Sequence, residues 1–309
     1  MSSSAVYSGV ESFLNDRELT EVTFAEGVTS IGNYAFRGCS SLTAITIPDS
    51  VTMIGFGAFC GCRSLPAITI PDGVTMIGKF AFYDCHSLTT ITIPDGVITI
   101  GASTFFRCIS LTAITIPDGV TMIGNLAFHG CSSLAAITIP DSVTTLGHSA
   151  FFGCSSLAAI TIPDGATTIG NQAFEFCSSL TAITIPDSVT TIGYQAFRNC
   201  SALTKLSLSP AVSIGVDCFS NCTALITAAA DKDMPTVSDL LHYRWRRNLA
   251  VIERVNALLC LKGTWDHVEN QPIEPDSQMQ IDGVEAPLKR TEARDKIPKV
   301  LWRVILEFL

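Results

Sequence analysis

Cysteine is the residue whose type and spacing first suggest chemistry in this 309-residue chain, which contains 12 cysteines. A thiolate can bind zinc or form a disulfide. Zinc needs four ligands that converge on a tetrahedron, and thiols that point the same way along a straight row rarely reach the disulfide torsion. We therefore expect the regular row of cysteines to be buried, free and apolar in behaviour. Nine cysteines belong to this row: Cys39, Cys62, Cys85, Cys108, Cys131, Cys154, Cys177, Cys200 and Cys222.

Aspartate and histidine are the other candidates for chemistry. Seven aspartates recur with the same period and could bind calcium, but each follows a proline in a turn, where its side chain caps the backbone. His86, His129 and His148 stand at three different places in the period, with no regularly placed Ser or Cys as an activated partner. The sequence thus predicts no enzyme, no cofactor, no metal and no small-molecule substrate. The aspartates are Asp49, Asp72, Asp95, Asp118, Asp141, Asp164 and Asp187.

All of these residues lie within a 23-residue repeat, so the fold of the repeat determines where they are placed. Residues 42–64 (LTAITIPDSVTMIGFGAFCGCRS) show it most clearly. A fixed period of this length predicts a stacked solenoid, in which no single repeat can close a core alone. Nine copies begin at Leu19, Leu42, Leu65, Leu88, Leu111, Leu134, Leu157, Leu180 and Leu203.

Within one copy, the alternation of Ile45, Thr46 and Ile47 predicts a short strand with one buried face. Pro48 ends the strand because proline has no N–H to donate. We expect Gly55 to supply either a positive φ or a close approach of two backbones. Phe59 should point inward with the cysteine row, so that one phenylalanine from each copy fills a continuous linear core.

The pattern LxxIxIPxxVxxIGxxAFxxCxx resembles the BspA-type leucine-rich repeat over residues 19–225. The resemblance implies a β-rich, right-handed leucine-rich-repeat solenoid of nine repeats with a parallel sheet on one face. It also implies protein–protein contact, adhesion or recognition rather than catalysis. The first and last copies depart from the pattern, as terminal repeats do where they meet caps.

Two outer surfaces are candidates for binding. The exposed strand positions carry Thr and Ala, which make a flat, uncharged face that is either simply solvated or matched to a repetitive target. The positions that follow the glycine differ between copies, and aromatic and Arg side chains there are typical interface anchors. The alternative is neutral variation in exposed loops. The candidate partner-binding residues are Tyr83, Phe106, Arg107, His129, His148, Phe152, Phe176 and Tyr194.

The two ends of the chain lie outside the repeats. Apolar spacing predicts an N-terminal cap over residues 1–18 with a short helix at 8–15. Residues 226–309 are predicted to form a helical C-terminal region: an amphipathic helix at 238–262, a polar linker at 263–296 and a helix at 297–309. The last helix is expected to complete a helical cap, although it also faintly resembles the opening of an F-box.

The charge of the chain limits the class of binding partner, and its apolar segments and thiols indicate the cellular compartment. The formal net charge is −9, and residues 1–225 carry 7 Lys and Arg against 15 Asp and Glu. An acidic solenoid argues against nucleic acid, whose phosphates need clustered cations. No run of 18 apolar residues predicts membrane insertion, and residues 1–20 do not resemble a signal peptide. Together with the free thiols, this predicts a cytoplasmic protein.

The favoured function is a non-catalytic scaffold that presents a rigid leucine-rich-repeat surface to a protein partner of unknown identity. Two alternatives stay open at this point. One is a ubiquitin-ligase-type substrate adaptor, which would recruit the ligase through the C-terminal helix at 297–309. The other is a cell-surface adhesin.

Overall fold

The computed structural model describes residues 3–9, 12–209 and 212–230. The predicted helices at 238–262 and 297–309 and the linker at 263–296 lie outside these residues. The chain begins with strand β1 (Ser3–Tyr7) and then forms nine successive pairs of short strands. The first strands of the pairs are β2 (Leu19–Phe24), β4 (Ala44–Ile45), β6 (Ala67–Ile68), β8 (Thr90–Thr92), β10 (Ala113–Thr115), β12 (Ala136–Thr138), β14 (Ala159–Thr161), β16 (Ala182–Thr184) and β18 (Lys205–Ser207).

A second strand follows in each pair after a turn at the Pro-Asp positions. These strands are β3 (Ser30–Ile31), β5 (Met53–Ile54), β7 (Met76–Ile77), β9 (Thr99–Ile100), β11 (Met122–Ile123), β13 (Thr145–Leu146), β15 (Thr168–Ile169), β17 (Thr191–Ile192) and β19 (Ser213–Ile214). We call one strand pair with its connecting turns a coil, and number the coils from the one that starts at Leu19.

Every described strand pairing is parallel, and from β2 onward each pairing joins equivalent residues of neighbouring coils. Ile114 pairs with Ile91 on one side and with Ile137 on the other. The first strands form a seven-stranded sheet from β18 to β6 and a three-stranded sheet β1-β2-β4, and the second strands form sheets β19 to β9 and β3-β5-β7. The predicted parallel-sheet solenoid is therefore confirmed.

A stack of phenylalanine rings runs through the core. The rings from Phe36 to Phe197 are buried, and neighbouring centroids lie 5.2–5.6 Å apart with planes within 12° of parallel. The cysteine row lies beside it, and each thiol donates to the carbonyl oxygen of the phenylalanine one coil earlier, as Cys131 does to Phe105 at 3.1 Å. Burial raises the pKa of Cys131 and Cys177 to about 12. These thiols are thus buried and free, as the sequence predicts.

The regular glycine, which follows the second strand of each coil, allows the backbones of two neighbouring coils to approach closely, and it does not supply a positive φ. A Cβ built on Gly147 would lie 2.5 Å from the backbone nitrogen of Asn125 and the carbonyl carbon of Gly124. Left-handed φ values occur two and six residues after the regular glycine, for example at Phe80 and Asp84, both with φ of 61°. The alternative of a positive φ at the regular glycine is wrong, because the turns that reverse the chain come later in the coil.

The predicted helix at 8–15 is wrong, since none of its described residues is helical. Phe13 lies one period before Phe36 and stacks on it at 5.6 Å, so the segment continues the core as a partial coil. Its described residues form no second strand. The hydroxyl oxygen of Tyr7 instead accepts a hydrogen bond from the N–H of Gly32 at 2.8 Å. In the next coil the equivalent N–H, that of Gly55, donates to the backbone carbonyl of Ile31.

Helix α1 (Thr223–Ala230) follows the last coil. It begins where the sequence analysis still places repeat residues, because alanine-rich sequence favours a helix once strand pairing ends. Leu225 is buried and joins the core cluster. No helix among the described residues has the length and apolarity that a membrane span requires.

Candidate protein-binding surface

Two consecutive turns follow the second strand of each coil, and together they form a rigid edge of the solenoid. We call this surface the turn edge: residues 33–38, 56–61, 79–84, 102–107, 125–130, 148–153, 171–176 and 194–199. Each turn is bonded to the next coil, since Phe80 N–H donates to the carbonyl of Ala102 and Asp84 N–H donates to that of Phe106. The eight predicted anchor residues all lie on this edge.

Four of the predicted anchors form one row of stacked rings. Tyr83, Phe106, His129 and Phe152 hold the same position in consecutive coils, and their centroids are 4.6, 4.6 and 4.5 Å apart with planes within 15°. We call these four residues the edge row. Phe176 meets Phe152 edge-on at 5.3 Å. Because the faces cover one another, the row offers its ring edges to a partner.

His129 belongs to this row as a neutral ring. Burial lowers its pKa, and the nearby charge of Arg107 lowers it further against the opposing effect of a backbone hydrogen bond. Its Nδ1 has no hydrogen-bond partner among the described residues. An imidazole in this setting packs as an aromatic side chain between Phe106 and Phe152.

His148 and Tyr194 stand apart from the edge row. The Nδ1 atom of His148 accepts the N–H of Asn171 at 3.0 Å, and the Oδ1 atom of Asn171 accepts the N–H of Tyr194 at 2.9 Å. Residues at this position therefore cap backbone groups of the following coil. This structural hydrogen bond of His148 was not predicted from the sequence.

Arg107 is part of an ionic cluster centred on a buried carboxylate. Asp84 is only 7 % exposed, with Arg63 Nε at 3.1 Å, His86 Nε2 at 2.7 Å and Arg107 at 3.9 Å. Burial acts to raise the pKa of Asp84, but the hydrogen bonds from Arg63 and His86 outweigh it and hold the pKa below its usual value. A second buried carboxylate, Glu175, accepts from the side-chain amide of Gln172 at 2.8 Å.

We expect Asp84→Asn to lower the free energy of unfolding by about 1–3 kcal/mol at pH 7, because it leaves the cationic groups around it without their charge partner. A lowered folded-state pKa contributes stability above the unfolded value of about 3.9, and this stability is lost as pH falls through the folded value. The difference from wild type should therefore shrink between pH 7 and pH 2 in urea titrations. Asp72→Asn, at an exposed turn, is the control. An equal difference at both pH values would contradict the assignment.

An aromatic groove lies on the turn edge of the first three coils. Its volume is about 400 Å³. The rings of Tyr34, Phe56, Phe80 and Tyr83 follow one another along it at centroid distances of 5.2, 5.1 and 5.9 Å. These rings continue into the edge row and so make a path of eight rings that ends at Phe176. Six residues line the groove: Tyr34, Arg37, Phe56, Cys60, Phe80 and Tyr83.

Of the groove residues, only Tyr83 was among the predicted anchors. The signal for the others was present, since Tyr34, Phe56 and Phe80 occupy the same variable turn positions. They were not predicted because successive rings of the groove stand at different positions of the 23-residue repeat. A comparison of one repeat position at a time does not reveal such a path.

Outside the turn edge, the described coils expose rows of threonine and aspartate together with large apolar side chains on or next to the second strands, such as Met53, Met76, Ile98 and Met122. The threonine row from Thr23 to Thr184 is exposed on the sheet face, as predicted, and the aspartate row from Asp49 to Asp187 is exposed at the turns. In the part of the chain that the structure describes, no three His, Cys, Asp or Glu side chains come together in a way that could hold a metal ion.

Solved structures of bacterial leucine-rich repeat proteins are similar to this chain. A leucine-rich repeat protein from Bacteroides ovatus is 26 % identical over 72 % of this chain and 77 % of its own, with a TM-score of 0.45. A leucine-rich cell surface protein from Faecalibacterium prausnitzii is 38 % identical over 64 % of this chain, with a TM-score of 0.47, and this chain spans 62 % of its length. A leucine-rich repeat protein from T. pallidum is 25 % identical over 80 % of this chain and 83 % of its own, with a TM-score of 0.36.

No curated protein matches the sequence. The family model of the BspA-type leucine-rich repeat region, however, matches residues 8–135 and 121–244, with six copies of the repeat. These two ranges span most of the chain and include all nine strand pairs. The chain therefore belongs to the BspA-type leucine-rich repeat family.

Proposed function

We propose that this protein is a non-catalytic scaffold that binds another protein through the turn edge. The observation that supports this best is the path of eight rings from Tyr34 to Phe176, which runs along one edge of a rigid solenoid. Aromatic side chains are enriched in the energetically important parts of protein interfaces. Phe176 is 46 % exposed and Tyr34 is 37 % exposed, so the ends of the path are open to a partner.

The sheet face supports binding less well. Its exposed positions carry Thr and Ala side chains, which bury little area and seldom act as anchors. Several threonine hydroxyls beside the strands also bond within the solenoid, as Thr112 Oγ1 does to the carbonyl of Thr89 at 3.3 Å. The described coils have few cations, which favours a protein over a nucleic acid as the partner.

We test the proposal by affinity capture from native lysate with three full-length proteins, read by mass spectrometry. The first is wild type and the second is the triple variant Tyr83→Ser, Phe106→Ser, Phe152→Ser. The third is the sheet-face control Thr115→Lys, Thr161→Lys, which adds two exposed charges two coils apart. Circular dichroism must first show that all three proteins keep the fold.

We expect the wild type and the sheet-face control to capture the same partner, and the triple variant to lose it. Capture by the triple variant together with loss by the sheet-face variant would overturn the proposal and would assign binding to the threonine face. Equal capture by all three proteins would also count against the turn edge.

The proposal includes a reducing compartment such as the cytoplasm. Each thiol of the cysteine row donates its proton to a phenylalanine carbonyl in a buried site, and oxidation would remove that donor and leave the carbonyl unsatisfied. Reducing compartments keep such thiols intact.

A further inference from the structure

We propose that the groove above Cys60 binds one aromatic side chain of a partner peptide segment whose neighbouring residues are acidic. The inference depends on the proposed scaffold function and names the ligand chemistry at one place on the turn edge. It is carried by the shape of the groove, by the interrupted edge row and by the charges around it.

The groove exists because three turn positions of the second coil carry small residues, although the Phe56 ring of that coil also lines the groove. Gly57, Cys60 and Gly61 stand there, whereas the first coil has Tyr34 and Arg37 at the first two of these positions. A Cβ built on Gly57 would lie 2.8 Å from the ring of Tyr34, so even a methyl group at that position would clash with this wall.

In the third coil the same positions carry Phe80 and Tyr83, which form the opposite wall. The Phe56 ring of the second coil lies between Tyr34 and Phe80, with centroids 5.2 and 5.1 Å away, so the position that this coil leaves open is the one at Cys60, beside Tyr83. This gap is one coil wide. Strand spacing sets the depth of one coil at about 4.8 Å.

This gap is the size of one aromatic ring. The edge row places one ring in each coil from Tyr83 to Phe152, at 4.5–4.6 Å from centroid to centroid. Cys60 holds the next position of the same row but has no ring. A planar group that enters the groove can stack on Tyr83 and continue the row, and a thiol is a favourable neighbour for an aromatic ring.

The charges around the groove favour an acidic flank on the ligand. The Arg37 guanidinium lies 5.2 Å from the centroid of Tyr34, and in the described part of the chain no carboxylate lies within 4.0 Å of Arg37 or Lys79. Arg63 and Arg107 share the single carboxylate of Asp84. Residues 1–225 contain seven Lys and Arg, and five of them precede residue 108. Nine Asp and Glu also precede residue 108, so this end of the solenoid is acidic as a whole. The turn edge of the first four coils, however, carries the three cations Arg37, Lys79 and Arg107 against the single carboxylate of Asp84.

We test the inference with a phage-displayed library of random 12-residue peptides, selected on immobilised full-length protein. Recovered peptides are synthesised with a fluorophore, and Kd is measured by fluorescence polarisation. Cys60→Phe fills the groove with the residue that the fourth and sixth coils carry at this position, so the variant is expected to fold. Ser220→Phe adds the same ring at the equivalent place in the ninth coil and is the matched control.

We expect the recovered peptides to contain one aromatic residue flanked by Asp or Glu. Cys60→Phe should weaken their binding at least tenfold with an unchanged circular dichroism spectrum, and Ser220→Phe should leave Kd unchanged. The double variant Arg37→Gln, Lys79→Gln should weaken binding about threefold to tenfold. It should also reduce the loss of affinity between 50 mM and 500 mM salt, because exposed charges are screened.

Three results would overturn the inference: no enrichment of any peptide, enriched peptides without the aromatic and acidic residues, or binding that Cys60→Phe does not weaken. Its failure can be distinguished from failure of the scaffold proposal. If Cys60→Phe still captures the lysate partner that the triple serine variant loses, the turn edge binds proteins but the groove does not carry this recognition.

Discussion

Replacing Gly147 by alanine should destabilise the solenoid by about 3 kcal/mol or more, at the upper end of the range for overpacked sites. The new Cβ would lie 2.5 Å from backbone atoms of Asn125 and Gly124. Backbone cannot rotate away as a side chain can, so two adjacent coils would have to separate. A urea titration followed by circular dichroism should show a clear fall in the unfolding midpoint.

Gly73→Ser is the matched control for this prediction. Gly73 lies in an exposed turn, where a Cβ would meet its nearest atom, the carbonyl oxygen of Asp49, at an ordinary distance of 3.4 Å. The equivalent Ser142 donates to the carbonyl of Val120 at 2.6 Å, so the turn accepts serine. Equal midpoints for the two variants would show that close backbone nesting at Gly147 does not limit stability.

Two adjacent phenylalanines, Phe151 and Phe152, should contribute very different amounts to the free energy of unfolding. We expect Phe151→Ala to cost about 3–5 kcal/mol, since Phe151 is fully buried between Phe128 and Phe174 and its removal leaves a cavity between stacked rings. Phe152→Ala should cost only about 1 kcal/mol, because the ring is only partly buried and loses mainly its stacking with neighbours. Chemical denaturation of both variants tests the difference.

The two substitutions should also separate stability from binding. Phe152→Ala is expected to weaken partner capture while leaving the fold intact, whereas Phe151→Ala should affect binding only through loss of folded protein. If Phe152→Ala were the more destabilising change, the assignment of these rings to edge and core would be reversed.

Much of the fold could be predicted from the sequence because each structural role recurs once in every coil. Ile45 and Thr46 have the alternation of a strand, and Phe59 and Cys62 repeat at the period that stacking requires. The short helix predicted at 8–15 fails because apolar spacing over a few residues resembles a helical turn. The longer period that relates Phe13 to Phe36 decides the structure there instead.

The candidate site was less predictable. Variation along the turn edge identified Tyr83, Phe106 and Phe152, but their face-to-face stacking depends on which side chains meet between coils. The groove forms where the second coil has small side chains in place of the larger ones of its neighbours. Small residues such as Gly57 and Cys60 are not recognised when a sequence is searched for interface anchors. Buried Asp84 was equally hidden, since two of its three partners, Arg63 and Arg107, come from the coils on either side.

Site-specific photo-crosslinking tests the central claim that the turn edge binds the partner. A benzophenone amino acid would replace Phe106 on the turn edge or Thr115 on the sheet face, nine residues later in the next coil. Both proteins would be irradiated in native extract, and crosslinked species would be identified by mass spectrometry. We expect one specific protein adduct from position 106 and none from position 115. An adduct from position 115 alone would contradict the account and would place binding on the sheet.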